Sequence, residues 1–407
     1  MSESAGKIYQ RLDSVDFLRG LVMVIMLLDH TRESVHGDAF RFQPTDLSKT
    51  NVMLFFTRWI THLCAPTFVL LAGTSIYLQL IRGKSRAELS RFLLTRGLWL
   101  IVLEFTIIRF AILFNVHYSF LGLAEVIWVF GVSMIVLAAI IFLPVRVVGA
   151  LGIGMIALHN FLDGVRVPPA TAFALKPAPD LLQKLWLFLH QPGFVPLSQN
   201  VKLFVAYPII PWVGVMAAGY ALGVIYTWEA ERRRKLLFRL GLVLLALFVV
   251  IRALNIYGDP QPWAKQATAI FTVLSFLNTT KYPASLLFLL MTLGTTLPIL
   301  AWAEGVRKDS VLNRIFITFG RVPLFYFVLQ MAVAHGFGVI LNYLAGKSVN
   351  YFFLSFPASA TSAPPNAGFT LWIVYAAWLG GLVLLYPLCY WYGKVKQQHR
   401  GFPFSYL

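Results

Sequence analysis

Ten stretches of this chain are apolar over the length a bilayer demands, and that count constrains the fold before any single residue is weighed. A membrane-crossing helix needs about 20 mostly apolar residues. Such runs fall at 17–36, 52–80, 92–114, 119–143, 146–161, 203–227, 236–256, 283–303, 315–343 and 370–392. The run at 146–161 is short and reads as tilted or partly buried. A further short run at 264–278 reads as re-entrant or interfacial, and as a full span it would make eleven. Hydrocarbon offers no water to satisfy backbone groups, so a spanning segment of this kind must be helical. The expected fold class is an all-α polytopic integral membrane protein of about ten helices, ten or eleven, forming one domain over 1–407.

Composition fits a chain solvated by lipid. It is 58% hydrophobic and 15% aromatic, with 13% charged residues, and mean hydropathy is +0.72. A soluble domain runs at about half apolar and a quarter charged. Lys and Arg number 34 against 17 Asp and Glu. In a soluble protein that excess would point to nucleic acid. Here it collects in loops, where cytoplasmic segments of membrane proteins concentrate basic residues. The clusters are Lys7 and Arg11; Arg82, Lys84, Arg86 and Arg91; Arg146; Arg232, Arg233, Arg234 and Lys235; Arg307, Lys308 and Arg314; and Lys394, Lys396 and Arg400. With ten spans all of them share one side, which is then cytoplasmic, with both termini inside. A full span at 264–278 would invert the C-terminal clusters.

The opposite side holds two long loops, 162–202 and 344–369, both proline-bearing. Long ordered loops tend to cover functional sites. No Walker motif, GxGxxG run, heptad tract or internal repeat is present, which argues against an ATP-driven pump. Cys64 and Cys389 lie in apolar segments and read as buried thiols, with no Cys/His spacing for a metal site. The polar first sixteen residues are not followed by a small-residue cleavage site, so segment one is expected to stay as a helix.

Segment one is where the chemistry starts. It reads Arg19-Gly-Leu-Val-Met-Val-Ile-Met-Leu-Leu-Asp29-His30. A charged group at the bilayer centre costs roughly 2.5–3.5 kcal/mol on insertion scales, so it marks a partner or a wet cavity. Arg19 and His30 are separated by three turns, about 16 Å of rise, and fall on nearly one face. Neutral histidine is a general base near physiological pH; the alternative for His30 is a polar helix end at the interface. Asp29 points about 100° away around the helix. It is expected to pair with Arg32 or with another helix rather than to orient His30. Asp16 and Arg19 are placed to pair at i, i+3.

Other polar residues sit on later segments. His62 precedes Pro66, which leaves a backbone carbonyl free near that turn. His62 is either a second site histidine or a core histidine bonded to that carbonyl. Glu104 and Glu125 are intramembrane carboxylates, with Glu104 expected to pair with Arg96 or Arg109. Asn278-Thr-Thr-Lys281-Tyr282-Pro283 reads as a structured loop entering the membrane, with Lys281 and Tyr282 as donors or as an interfacial belt. Segment nine carries Gly320-Arg321-Val-Pro323, then Gln330 and His335.

Four blocks carry a resemblance in this order: Arg11-Leu-Asp-Ser-Val-Asp16-Phe-Leu-Arg19-Gly20, Phe56-Thr-Arg-Trp-Ile-Thr-His62-Leu-Cys-Ala-Pro66, Asn278 to Pro283, and Gly320 to Pro323. Together they resemble bacterial members of the heparan-α-glucosaminide N-acetyltransferase catalytic-domain family, over nearly the whole chain. The Arg19-x10-His30 spacing is also similar to that of the acyltransferase-three membrane enzymes. The resemblance implies transfer of an acyl group, acetyl first of all, from cytoplasmic acetyl-CoA or another acyl-CoA to an amine or hydroxyl of an extracytoplasmic sugar or glycan. It implies the inner membrane of a bacterium, no metal, and no nucleic acid; a homodimer is allowed. Under it Arg19, Arg91, Arg96 and Arg314 are expected to hold CoA phosphates. His30, with Asp29 and His62, is expected at the reacting centre. Lys281, Tyr282, Arg321 and Gln330 are expected on the acceptor, with Lys281 or Arg321 at the oxyanion. The chain departs from the eukaryotic enzyme in two ways. A large lumenal domain ahead of segment one is not expected here. The chain also lacks the glycine-rich stretch holding that enzyme's catalytic histidine, leaving His30, His36 and His62 in this region.

The competing reading is a transporter coupled to protons through Asp29, His30 and Glu104. Transporters usually show matched broken helices in repeated halves, and no such symmetry is found. A non-catalytic scaffold would leave the Arg19 and His30 arrangement without a reason.

Overall fold

The computed structural model describes residues 13–305, 310–356 and 358–398. Lys7, Arg11, Arg307, Lys308 and Arg400, counted among the basic clusters, lie outside the described residues. The main helices are α1 (Asp13–Val35), α2 (Val52–Thr61), α3 (Cys64–Ile81), α4 (Arg86–Leu103), α5 (Arg109–Leu113), α6 (Val126–Ile140) and α7 (Val145–Leu158). They continue with α8 (Ile209–Leu222), α9 (Ala230–Leu254), α10 (Ala269–Leu277), α11 (Leu286–Ala303), α12 (Val311–Arg321), α13 (Pro323–Leu344) and α14 (Leu371–Gln398). Each of the ten apolar stretches carries helix. Among the described residues, seven helical runs are both long and apolar enough to cross a membrane. α1 is not one of them, because Asp13, Asp16, Arg19, Asp29, Arg32 and Glu33 all lie on it. It is instead packed inside the molecule, with Leu18, Met23 and Leu27 almost fully buried.

Two spans are broken at their polar blocks. Helix α2 ends at Thr61 and α3 restarts at Cys64, with Pro66 in its first turn, where a missing N–H costs least. Similarly α12 ends at Arg321, Val322 leaves helical geometry, and Pro323 opens α13. α4 runs into α5 through a π-helical turn at Glu104–Ile108. The α1–α12 crossing is close because both partners present glycine. A Cβ added at Gly20 would meet Phe316 O at 1.7 Å, and one at Gly320 would meet Asp16 O at the same distance. Small residues of this kind let two backbones approach directly.

The sequence reading did not foresee a sheet. Phe120–Ala124 (β1), Gly193–Pro196 (β2) and Lys202–Val205 (β3) form three strands in the order β1-β3-β2. β1 lies parallel to β3, and β2 antiparallel to it. So the runs at 119–143 and 203–227 each begin as strand, not helix. The stretch at 264–278 is helical only over α10. The loops add short helices at Pro169–Ala174, Leu181–Leu189 and Ala358–Ser362.

Candidate active site

Three cavities follow α1 from end to end, and the residues facing them recur at helical spacing: Arg19, Met23, Met26, His30, Glu33. Steps of four and three keep one face of a helix in line. The first cavity, ≈290 Å³, surrounds Arg19, Arg96, Arg321 and Lys396, with an apolar wall that includes Phe68, Phe92 and Met134. A small chamber of ≈50 Å³ comes next, lined by Asp29, His30, Glu33, Arg58, Glu125 and Lys281 among others. The third, ≈740 Å³, is a vestibule lined by residues of β3 and of the two long connections, including Phe173, Pro192, Phe204, Phe352 and Phe356. Met26, Val126 and Phe327 line both the first cavity and the chamber. His30, Glu33, Arg58, Glu125, Tyr282 and Met331 line both the chamber and the vestibule.

At the chamber, buried charges are tied together. Asp29 Oδ1 accepts from Arg32 Nη2 at 2.9 Å and Nε at 3.3 Å. Its other oxygen accepts from Arg58 Nη1, carried by the last turn of α2. Arg58 Nη2 reaches the Tyr282 hydroxyl at 3.4 Å, and Arg32 Nη2 reaches Glu33 at 3.2 Å. Asp29, Arg32 and Arg58 are each under a tenth exposed. A carboxylate held between two guanidinium groups is a structural anchor, and removing one partner of such a buried pair typically costs about 3–5 kcal/mol. Asp29 does not orient His30. The Glu33 carboxylate does: His30 Nδ1 lies 3.2 Å from Glu33 Oε2. With the proton on Nδ1 donated to Glu33, Nε2 keeps its lone pair, and among the described residues it has no protein partner. The ring stands edge-on to Phe327, with centroids 6.4 Å apart.

The turn bearing Lys281 and Tyr282 is built from below by a second buried pair. Arg252, 1% exposed, donates to the carbonyls of Phe276, Ser275, Asn278 and Gln261 at 2.8–3.1 Å. Asp259 accepts from Thr280 N and Oγ1 and from Ser285 Oγ at 2.7–2.8 Å. Tyr282 is followed by a cis bond to Pro283. The turn brings Lys281 to the chamber wall, its Nζ 5.3 Å from the Tyr282 ring and 5.8 Å from the Tyr207 ring. Among the described residues Lys281 makes no hydrogen bond or ion pair.

Other expected site residues are placed elsewhere. Arg19 donates to Ser75 Oγ at 2.5 Å and Leu71 O at 3.2 Å, and lies 3.7 Å from Asp16. Arg96 shares its cavity. Arg91 does not: five residues earlier on α4, it is turned about 140° away and exposed. Arg314 is exposed two turns before Arg321 on α12 and lines none of the three cavities. Arg321, expected with the acceptor, lies instead in the cavity with Arg19, its Nη2 3.5 Å from Asp13. His62 is buried behind the chamber, packed edge-on against Phe288 at 5.4 Å, and lines none of the three cavities. Gln330 is fully buried in α13, and among the described residues neither of its side-chain polar atoms has a partner.

The expected ion pair of Glu104 with Arg96 or Arg109 is not formed. Glu104 Oε2 accepts from Trp128 N at 2.6 Å, capping α6 from outside. Arg109 donates to the carbonyls of Asn115, His117 and Phe120. A pair of charges was expected; instead the N-terminus of α6 brings a backbone N–H to Glu104, and the segment leading into β1 brings carbonyls to Arg109. Sequence reasoning also missed Glu33, Arg58 and Tyr207 at the chamber, and it named Glu125 as an intramembrane carboxylate without placing it there. Glu33 was findable, since it lies three residues after His30 on the same face.

No curated protein matches this chain. The family model for heparan-alpha-glucosaminide N-acetyltransferase, catalytic, matches residues 11–262, which include α1, Arg58, Glu125, Tyr207 and Asp259. An apolar multi-helix chain with a path along α1 from a basic cavity to a histidine-bearing chamber accords with that match. The chain belongs to the heparan-alpha-glucosaminide N-acetyltransferase catalytic family, and with it to the membrane acyltransferases.

Proposed function

We propose that the protein moves an acyl group, acetyl first of all, from acyl-CoA on the cytoplasmic side to an amine or hydroxyl of a sugar or glycan on the far side. The observation that carries this reading is the chain of three cavities along α1, each sharing lining residues with the next. On the ten-span topology, with both termini inside, the Arg19 end faces the cytoplasm and the vestibule faces outward.

Each part of the path suits one part of the reaction. The first cavity joins guanidinium groups to an apolar wall, which fits a phosphate-bearing donor with a long thin arm. The chamber of ≈50 Å³ has room for about four water-sized groups, enough for an acetyl and little more. There His30 Nε2 takes the proton of the acceptor as it attacks the thioester carbonyl. The bond from acceptor to carbonyl carbon forms, the C–S bond breaks, and the CoA thiolate leaves toward the first cavity, where cytoplasmic water protonates it. Lys281 Nζ is the cation available to the oxyanion. Asp29 and Arg58 hold the chamber's shape.

The test is transfer of labelled acetyl from acetyl-CoA to glucosamine by purified protein in liposomes. His30→Ala should lower kcat by about 10²–10⁴ while binding CoA as before. Full activity in that variant would remove His30 from the reaction.

A further inference from the structure

A helix is normally capped by its own N-cap residue, whose side chain accepts from the N–H two or three positions on. At α6 the N-cap is Glu125, and its side chain makes no such bond. The N–H it would ordinarily bind, that of Trp128, is taken by Glu104 Oε2 at 2.6 Å. Glu104 opens the π-helical turn of Glu104–Ile108, an irregularity often found at functional sites. Thus one carboxylate performs the cap and the other is released.

The released carboxylate is held in place on both sides. Before it, Ala124 O accepts from Ala206 N and Tyr207 N, both at 3.1 Å, closing the end of β1 on β3. After it, Val129 N bonds to Glu125 O at 3.1 Å. The side chain lines both the chamber and the vestibule, as His30 does. Among the described residues it has no hydrogen bond or ion pair. The charged and titratable groups that line the chamber with it are Asp29, His30 and Glu33 from α1, Arg58 from α2, Cys64 from α3, Tyr207 before α8, and Lys281 and Tyr282.

We propose that Glu125 is the proton-relay carboxylate of this site. The inference rests on the acyltransferase reading above. The proton that His30 Nε2 takes from the acceptor passes to the Glu125 carboxylate and then to water of the vestibule. His30 returns to its neutral form and Glu125 to its charged form before the next turnover. Glu104 is a positioning residue, since it acts through the cap that leaves Glu125 free.

The experiment compares wild type, Glu125→Gln, Glu125→Asp and Glu125→Ala in acetyl transfer from acetyl-CoA to glucosamine, over a range of pH. Glu125→Gln should lower kcat by about 10²-fold and change the pH profile, with KM for acetyl-CoA within threefold. Glu125→Asp should recover part of the rate, and added sodium formate should raise kcat of Glu125→Ala at least tenfold. Wild-type kcat and pH profile in Glu125→Gln would overturn the proposal alone. So would a loss that neither Asp nor formate repairs, because that is the mark of a structural role. A wild type that transfers no acetyl at all would overturn the acyltransferase reading and the relay with it.

Discussion

The two ends of α1 carry similar charges and use them in different ways. At the Arg19 end, guanidinium groups surround a cavity of ≈290 Å³, and Arg19 itself is held by a hydroxyl, a carbonyl and a looser contact with Asp16. At the His30 end, Asp29 is locked between Arg32 and Arg58, and the space left beside them is only ≈50 Å³. An open basic cavity is suited to receiving an anionic ligand of some length. A small chamber with cross-tied walls is suited to holding reacting groups in one geometry, where sub-ångström placement governs rate. Substitutions at the two ends should therefore fail in different ways.

The largest effect should come from the chamber histidine. His30→Ala should cut kcat by about 10²–10⁴ while leaving the melting temperature close to wild type, because the ring makes one side-chain hydrogen bond, to the half-exposed Glu33. Asp29→Ala should instead destabilise the fold, by about 3–5 kcal/mol, since it strands Arg32 and Arg58; denaturation in detergent would read this. A chamber that tolerated the change would show that its walls are not tied through Asp29. Gly320→Ala should be next, costing about 1–3 kcal/mol or more from overpacking against Asp16 O and shifting α12 from α1. Arg96→Ala should mainly raise KM for acetyl-CoA, by about tenfold for one lost charged contact of roughly 1.5 kcal/mol. Arg91→Ala, exposed and off the cavity, should change neither KM nor kcat by more than about twofold. Equal effects at Arg91 and Arg96 would erase the distinction that helix geometry draws between them.

What the sequence made legible was local. The ten apolar runs follow from length and composition, and the face shared by Arg19 and His30 follows from helical spacing. The pairing of Asp29 with Arg32 was readable for the same reason. The pairing of Asp29 with Arg58 was only half readable: another helix was foreseen, but its residue lies 29 positions away. The sheet was not readable, because more than seventy residues, including α6, α7 and β2, separate β1 from β3, and apolar strand looks like the start of an apolar helix. Glu104 was assigned the wrong partner because charge spacing along α4 carries no information about β1 or the N-terminus of α6. The turn at Lys281 was recognised as ordered, yet its supports, Arg252 and Asp259, are distant in sequence and only the fold reveals them. The site was therefore visible along one helix and hidden wherever a second element completes it.

The proposed path along α1 runs from a donor cavity to an acceptor chamber on opposite membrane faces. It is tested most directly in sealed liposomes of uniform orientation, with acetyl-CoA supplied only on the side of the Arg19 cavity and glucosamine only on the side of the vestibule. Acetylated sugar should accumulate on the vestibule side and free CoA on the other, and placing both substrates on the vestibule side should give no product. Product formed only when donor and acceptor share one side would contradict it.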